Sequence, residues 1–218
     1  MPFCRDRLAG ESIDRWCCSR AVCQATIEPA VSIRRGGRPV ERAGKAPFST
    51  CFDIATMRIG IFADSHDHLD NIRLAVKRFN DEEVDLVLFA GDLVSTIAVP
   101  PLRMLQAPLV ACFGDNEGNK VGLLAGFGVV GEVSEPPVRL TTSDGTRIVL
   151  AHMKRQLPGV QEEYDIAVFG HSHKPRVERD AARRILINPG ETGGWTFGRP
   201  TIVLLETTSQ QAQVVELR

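Results

Sequence analysis

Residues 57–72 have the sequence MRIGIFADSHDHLDNI, and the order of its apolar and polar residues determines the fold that we predict. The apolar run over 59–63 is typical of a buried strand. Asp64, His66 and His68 follow it directly, and residues with the spacing of an amphipathic helix come next. A buried strand, a polar loop and a helix in this order form the first unit of an α/β fold.

The same alternation of strands and helices continues as far as residue 126. One helix is expected after Pro100 and Pro101, because proline is tolerated in a first turn. The order βαβαβ predicts a parallel sheet. The predicted elements are strands over 58–63, 84–90 and 109–113, a helix capped by Asp70 and Asn71 that runs to about Asn80, a helix after Pro101 and a short helix within 118–126.

From residue 138 onward, apolar runs follow one another with little helix between them. Residues 143–146 have the sequence Ser-Asp-Gly-Thr, which favours a hairpin turn. These runs predict a second, largely antiparallel sheet. The whole is predicted to be an α/β fold, a four-layer αββα sandwich with two mixed β-sheets face to face and the helices outside. The strands are predicted over 138–142, 147–151, 164–169, 176–178, 184–188, 201–206 and 212–217.

All five histidines, together with three aspartates, lie at the ends of these apolar runs. The carboxyl ends of parallel strands meet at the ligand crevice of an open α/β sheet, so these side chains should converge. Imidazole and carboxylate groups are ligands of divalent metal ions. The pattern therefore predicts a metalloenzyme. The residues are Asp64, His66, His68, Asp92, Asp115, His152, His171 and His173.

Residues 1–56 differ in composition from the rest of the chain. They contain five of the six cysteines and no histidine, and their net charge is +3 against −4 for the remainder. They have no sustained helical or strand period and no apolar stretch of the length found in secretory signals. The cysteine spacing does not match the usual zinc pattern. We expect a disordered extension or an over-long gene start with its true start at Met57, followed by one domain over 57–218.

The composition of the 218 residues bounds the function further. A net charge of −1 gives no indication of nucleic-acid binding, and no apolar stretch has the length of a membrane span. Scattered thiols suit a reducing compartment, so we expect a cytoplasmic protein. Homo-oligomerisation stays open. Trp195 and Phe197, in a glycine-rich stretch, are expected to pack in the core or at an oligomer contact.

Five short motifs occur in order along this domain, each after a predicted strand: Asp-x-His, Gly-Asp, Gly-Asp-Asn-Glu, a lone His and Gly-His-Ser-His. In this order they resemble the calcineurin-like metallophosphoesterase superfamily. The run over 64–72 and the later Asn188-Pro189-Gly190-Glu191 resemble more narrowly the small phosphodiesterases of the YfcE type. The resemblance covers 57–218.

The resemblance implies two divalent metal ions, with manganese(II) first and iron, zinc, nickel or cobalt as alternatives. A hydroxide that bridges the two ions would attack phosphorus in line. Asp92 would bridge the ions. The other implied ligands are Asp64, His66 and His173 for the first metal and Asp115, His152 and His171 for the second, and the catalytic residues are Asp92, Asp115, Asn116 and His68.

Two positions depart from the family pattern. The family usually has Asn where Asp115 stands, so the site gains one negative charge and the attacking water should be less acidic. An alternative register, with Asn116 as the ligand, stays open. Many relatives have His at position 116 as a proton donor, and Asn116 cannot protonate a leaving group. The proton would then come from His68 or from water.

The implied function is hydrolysis of a small phosphate ester, with a phosphodiester as the leading substrate class. Two alternatives stay open. One is a protein-binding scaffold on the same fold with a degraded metal site, and the other is a phosphomonoesterase or nucleotide phosphatase. All seven ligand positions carry groups that can bind metal, which favours an enzyme. A monoesterase would need a cap or insert for selectivity, and none is evident in the sequence.

Overall fold

The computed structural model describes residues 56–159 and 161–218. The extension predicted over 1–56 lies outside these residues, except for Thr56. Two long segments of the described chain follow the predicted order of elements. The first comprises β1 (Arg58–Phe62), α1 (Leu69–Asp81), β2 (Leu86–Phe89), a 3₁₀ turn (Thr96–Ala98), α2 (Val99–Leu102), β3 (Leu109–Cys112), α3 (Lys120–Phe127) and β4 (Gly131–Ser134).

The second segment is almost entirely β-structure. Its single short helix among the described residues is a 3₁₀ turn that follows β6. The elements are β5 (Val138–Thr141), β6 (Arg147–Leu150), a 3₁₀ turn (Lys154–Gln156), β7 (Ile166–Val168), β8 (Arg176–Arg179), β9 (Ile185–Asn188), β10 (Thr201–Glu206) and β11 (Gln211–Glu216).

The first sheet has the strand order β11-β10-β1-β2-β3-β4. Strands β1 to β3 are parallel, as the βαβαβ order predicted, and β4 adds a fourth parallel strand, whereas β10 pairs antiparallel with β1. The assignment of the last two strands to the second sheet is therefore wrong. Ile202 of β10 is buried against the helices, and Val203 is buried between the sheets. Because alternate residues bury both faces, this strand fits in a sheet that is covered on both sides.

The second sheet has the order β5-β6-β7-β9-β8. Its centre is parallel, since β6 pairs with β7 and β7 with β9 in that sense, and its two edge pairings are antiparallel. The sheet is mixed, so the expectation of a largely antiparallel sheet is wrong. The hairpin between β5 and β6 forms at the predicted turn.

Two apolar layers hold the sheets and helices together. One lies between the first sheet and its helices and includes Phe62, Phe79 and Phe89, all nearly inaccessible to solvent. The other lies between the sheets and includes Leu88 and Leu150. The prediction of two mixed sheets face to face with helices outside is confirmed. The second sheet carries a smaller apolar cluster on its outer face.

The first helix begins two to three residues earlier than predicted. The Nδ1 atom of His68 accepts the backbone N–H of Asn71 at 3.3 Å, so His68 caps α1 in place of Asp70 and Asn71. Strand β4 was missing from the prediction because it is short and half-exposed. Within the described part of the chain, every helix is too short or too polar to cross a lipid bilayer.

Candidate metal centre

The seven predicted ligands lie together at one end of the β-sandwich. They come from the loops that follow β1, β2 and β3 of the first sheet and β6 and β7 of the second. Their side-chain atoms form three overlapping groups, and within each group the ligand atoms lie within 4.8 Å of one another. The groups are Asp64 with His66 and His173, Asp115 with His152 and His171, and Asp64 with Asp92 and His152.

Two of the groups contain two histidines each. The first of them, Asp64 with His66 and His173, is the more buried. Asp64 is fully buried, and its Oδ1 atom lies 3.5 Å from Nε2 of His173. The Nε2 atoms of His66 and His173 lie 3.2 Å apart. One cation between them could therefore contact all three side chains.

The second group combines one buried histidine with two accessible side chains. Nε2 of the fully buried His152 lies 2.8 Å from Oδ1 of Asp115. The same oxygen lies 3.3 Å from Nδ1 of His171. The side chains of Asp115 and His171 are 42% and 47% exposed, so this half of the site is open to a ligand from solvent.

Asp92 lies between the two groups. Its Oδ2 atom is 3.6 Å from Nε2 of His66 and 3.4 Å from Nε2 of His152. Its Oδ1 atom accepts the backbone N–H groups of Asp115 and Asn116, each at 3.0 Å. These bonds fix the carboxylate so that its other oxygen faces both groups.

The backbone of the loops is unusual at five of the seven residues. Asp64, His66, Asp92, His171 and His173 have φ between 42° and 67°, in the left-handed region. Each such residue other than glycine costs on the order of 1–3 kcal/mol, and such strain is concentrated at functional sites. Glycine would relieve the strain but would remove the side chain. The geometry therefore favours the convergence of polar groups over local stability.

Hydrogen bonds at Nδ1 orient two of the imidazoles. Nδ1 of His173 lies 2.9 Å from Oε2 of the buried Glu191, and Nδ1 of His152 lies 2.8 Å from the carbonyl oxygen of Ala90. An acceptor at this position holds the proton on Nδ1. The Nε2 lone pair of each ring then faces the cluster, as a metal ligand requires.

The clustered charges alter the protonation of the buried groups. Burial raises the pKa of Asp64 to about 7, although the nearby His152 and His173 act in the opposite direction. Burial lowers the pKa of His152, but contact with Asp92 and the charge of Asp92 outweigh it and raise that pKa to about 9. The same contact and the hydrogen bonds from Asn116 bring the pKa of Asp92 below its usual range despite burial. The shifts of the pKa of Asp64 and His152 both favour the protonated form, whereas that of Asp92 favours the carboxylate.

The donor set fits divalent metal ions. Nε2 of His152 is buried, and its close contacts with carboxylate oxygens lack the angles of a hydrogen bond. Two Nε2 atoms that face each other at 3.2 Å, on His66 and His173, need a proton or a cation between them. Buried polar atoms without partners are costly, and a metal ion would satisfy all of them.

The other two predicted catalytic residues lie at the edge of the cluster. Nδ2 of Asn116 donates to Oδ2 of Asp92 at 2.7 Å, so its amide faces the carboxylate between the groups. His68 caps α1 through Nδ1, and its ring centroid lies 4.7 Å from that of Trp195.

Two glutamates support the cluster in ways that the sequence did not predict. Glu191 contacts His173, and it also accepts hydrogen bonds from the backbone N–H groups of Thr196 and Phe197. Oε1 of Glu117 accepts the backbone N–H of Asp92 at 2.8 Å. The signal for Glu191 was present, since an acid beside a buried strand needs a partner. Which partner it takes depends on long-range packing.

Trp195 and Phe197 do not pack in the core. They are 64% and 49% exposed, so that part of the prediction is wrong. The glycine-rich loop that carries them folds over the cluster, where Gly193 donates its N–H to the carbonyl oxygen of Asp64 at 3.0 Å. Because the loop is anchored there, the side chains of Trp195 and Phe197 lie at the surface.

Comparison with known proteins gives a consistent result. The model of the calcineurin-like phosphoesterase superfamily domain matches residues 57–210. A phosphodiesterase of Methanocaldococcus jannaschii is 33% identical over 168 residues, which is 74% of this chain and 99% of that protein. The solved structure of an archaeal phosphodiesterase matches with a TM-score of 0.65 and 30% identity, over 74% of this chain and all of that one.

More distant structures share the fold alone. The YfcE phosphoesterase of E. coli matches with a TM-score of 0.54 at 17% identity, over 74% of this chain and all of that one. A single mutant of Vps29 from Entamoeba histolytica matches with a TM-score of 0.51 at 18% identity, again over 74% of this chain and all of that one.

Proposed function

This chain belongs to the calcineurin-like phosphoesterase superfamily, and we propose that it hydrolyses phosphodiesters with two divalent metal ions. As a member of that superfamily it is a phosphoric ester hydrolase. The phosphodiester assignment is supported by the archaeal phosphodiesterase at 33% identity. The observation that carries the two-metal proposal is the presence of two three-residue ligand groups with Asp92 between them.

In this proposal the first metal is held by Asp64, His66 and His173, and the second by Asp115, His152 and His171. Asp92 is shared, since its Oδ2 atom lies within 3.6 Å of an imidazole nitrogen in each group. Asp115 is preferred to Asn116 as a ligand. Its carboxylate faces two histidines, whereas the amide of Asn116 faces Asp92.

Two divalent ions held side by side supply Lewis-acid chemistry, because they neutralise phosphate charge and lower the pKa of the attacking water. Manganese(II) is the proposed ion, with iron, zinc, nickel and cobalt as alternatives. Mixed imidazole and carboxylate ligands bind all of these, and affinity order alone does not select one.

The chain's own residues divide the remaining tasks. The buried Asp64 and His152 fix the cluster, while the accessible Asp115 and His171 leave room for the phosphate ester. His68 is the proposed proton donor to the leaving group. Its Nδ1 accepts a backbone N–H, so Nε2 is the nitrogen left to face the leaving group. Donation requires the protonated ring, which would give up this cap. Water is the alternative donor.

The proposal can be tested with a bis-aryl phosphate diester that releases a coloured phenolate. Metal-free protein should be inactive, and manganese should restore the most turnover among the five metals. Asp92→Asn should abolish the restored activity. Asp81→Asn is the matched control, because Asp81 lies at the end of α1 and pairs with Lys77. That variant should behave like the parent protein.

Two results would replace the proposal with one of its alternatives. Turnover of an aryl monoester but not of the diester would make the protein a phosphomonoesterase. Absence of turnover with every metal, together with stable binding of a protein partner, would make it a scaffold. The Vps29 structure shares only the fold with this chain, so it favours neither result.

A further inference from the structure

We propose that Trp195 and His68 form a stacking wall for a flat aromatic substituent of the substrate, such as the base of a nucleotide ester. This inference rests on the proposed phosphodiesterase function and narrows its substrate class. It concerns one base-sized group beside the phosphate. A chain with a net charge of −1 offers no general surface for a nucleic-acid polymer.

The position of the indole places it at the rim of the cluster. Nε1 of Trp195 donates a hydrogen bond to the carbonyl oxygen of His66 at 3.2 Å. Its ring centroid lies 4.7 Å from that of His68, with 44° between the ring planes. The ring is therefore held beside a proposed metal ligand and a proposed proton donor.

The loop that carries Trp195 is anchored on both sides of the indole. Before it, Gly193 donates its N–H to Asp64 at 3.0 Å and accepts from Nδ2 of Asn71 at 2.9 Å. After it, Thr196 donates its N–H to Oε2 of Glu191 at 2.8 Å. The same oxygen of Glu191 lies 2.9 Å from His173. The indole and the cluster are thus fixed by shared contacts.

Gly193 permits this close approach. A Cβ atom there would lie 2.7 Å from the carbonyl oxygen of Ser65 and 2.8 Å from Cδ1 of Trp195. Both distances are below van der Waals contact, so a larger residue would push the indole away from the loop after β1. The local sequence is therefore adapted to hold the ring in this place.

The exposed fraction of the indole indicates a ligand. Tryptophan has a large apolar side chain that stabilises a fold when it is buried. Trp195 is nevertheless 64% exposed, although several hydrogen bonds hold its loop in place. An aromatic ring fixed in place at low entropic cost stacks well on a flat aromatic group, and every nucleobase has such a face.

Positive charge lies close to this wall. Lys174 directly follows His173, is exposed, and holds its ammonium group 5.7 Å from the centroid of Phe197. A cleft of about 350 Å³ beside His171 is lined in part by Lys154, Lys174 and Arg176, and also by Glu178, which pairs with Lys154 and Arg176. Lys174 is therefore the cation that would meet the phosphate of a ligand whose aromatic ring stacks on Trp195.

The test uses tryptophan fluorescence and binding, with no need for turnover. The chain has two tryptophans, so Trp16→Phe leaves Trp195 as the sole tryptophan. Metal-loaded protein is titrated with adenosine 5′-monophosphate and with ribose 5-phosphate. We expect the first to quench the fluorescence and to bind about tenfold more tightly than the second, as stacking on one ring provides.

Trp195→Leu should remove this preference. Calorimetry should show about tenfold weaker binding of adenosine 5′-monophosphate and unchanged binding of ribose 5-phosphate. Trp195→Phe should retain part of the preference. Phe197→Leu, in the same exposed loop, is the matched control and should leave the ratio of the two affinities intact.

The inference is overturned if the two ligands bind equally, if neither binds, or if Trp195→Leu leaves both affinities unchanged. It is also overturned if Trp195→Leu changes the sedimentation coefficient and not the affinities, which would make the ring an oligomer contact. In each case metal-dependent turnover of the bis-aryl diester is measured separately. Turnover that persists would leave the proposed function intact.

Discussion

The two ends of the β-sandwich are both rich in aspartate, but they are built in opposite ways. At the carboxyl ends of the strands, Asp64, Asp92 and Asp115 face imidazoles and one another. At the amino ends, each aspartate meets donors. Asp165 accepts from the guanidinium of Arg147 at 3.0 Å and 3.1 Å and from its backbone N–H at 2.9 Å. At the amino ends, donors within the protein balance the aspartate charges, whereas the aspartates at the carboxyl ends need a cation.

The hairpin turn at the amino end illustrates the difference. Asp144 accepts from the hydroxyl of Thr142 at 2.5 Å, from the backbone N–H of Thr146 at 3.1 Å and from the hydroxyl of Thr207. Although burial acts against it, these bonds lower the pKa of Asp144 to about 2. Asp64 accepts the backbone N–H of His171, but burial outweighs this bond and the nearby histidines and raises the pKa of Asp64 to about 7. Aspartate thus stabilises the fold at the amino ends of the strands, and at the carboxyl ends it is available to bind a cation.

The largest expected effect comes from exchanging one carboxylate for an amide at each end. Asp92→Asn should lower metal-dependent turnover on the order of 10³-fold, because Lewis-acid stabilisation is worth several kcal/mol. The carboxylate of Asp92 accepts three hydrogen bonds and its pKa lies below its usual range, so this variant should also lose some stability in the metal-free form. Asp165→Asn should lower stability and leave turnover unchanged. Steady-state kinetics and urea unfolding of both variants would measure this, and a fall in the turnover of Asp165→Asn comparable to that of Asp92→Asn would break the comparison.

A smaller effect is expected from the support of His173. Glu191→Gln keeps the shape of the side chain but removes the charge that orients the imidazole. We expect manganese affinity to fall by about 10–100-fold, as is usual for groups that orient a metal ligand. Competition with a fluorescent chelator would measure it. Glu178→Gln, in an exposed ion pair with Lys154, is the control and should bind metal as the parent does.

At the amino end, Asp144→Asn should cost about 1–3 kcal/mol, since it weakens hydrogen bonds to a charged group. The pKa of about 2 in the folded protein lies below the ordinary aspartate value of 3.8, so the stabilisation is present above the unfolded value and lost as pH falls toward 2. The difference in unfolding free energy from the parent should be constant near neutral pH and shrink between about pH 4 and 2. A difference independent of pH would contradict the role assigned to the charge.

The smallest effect is expected from Asp115→Asn, which restores the residue usual in the family. Removing one negative charge makes the site more positive and the attacking water more acidic. The acid limb of the pH–rate profile should therefore move toward acid, while metal affinity falls. Rates measured from pH 5 to 9 at saturating manganese would detect the shift. An unmoved profile would show that this carboxylate does not act on the water.

Much of the architecture could be predicted from local sequence. The apolar runs with polar residues after them predicted the parallel half of the first sheet and the convergence of histidines and aspartates at strand ends. The choice of seven of them as metal ligands came from the family resemblance. The left-handed backbone at five of these residues could not be predicted, because nothing in the residue types of Asp64 or His173 demands it. Tertiary packing imposes that conformation.

The pairing partner of strand β10 and the hydrogen-bond partners of Glu117 and Glu191 could not be predicted from the sequence either. The apolar run of β10 indicates a strand buried on both faces, but it does not indicate that β1 is its neighbour. Glu117 and Glu191 carry no local sign of the backbone and imidazole groups that they bind. Such contacts join residues far apart in sequence, so pattern and periodicity do not specify them.

The pairing of β10 with β1 has a consequence for the timing of assembly in the cell. Strand β1 leaves the ribosome before β10, which covers its free edge, and of the described strands only β11 follows β10. The loop from Glu191 to Pro200 leads directly into β10 and contacts Asp64 through the N–H of Gly193. Metal capture should therefore follow the synthesis of β10. A nascent chain stalled before Thr201 should retain no manganese in equilibrium dialysis, and retention would show that the site matures earlier.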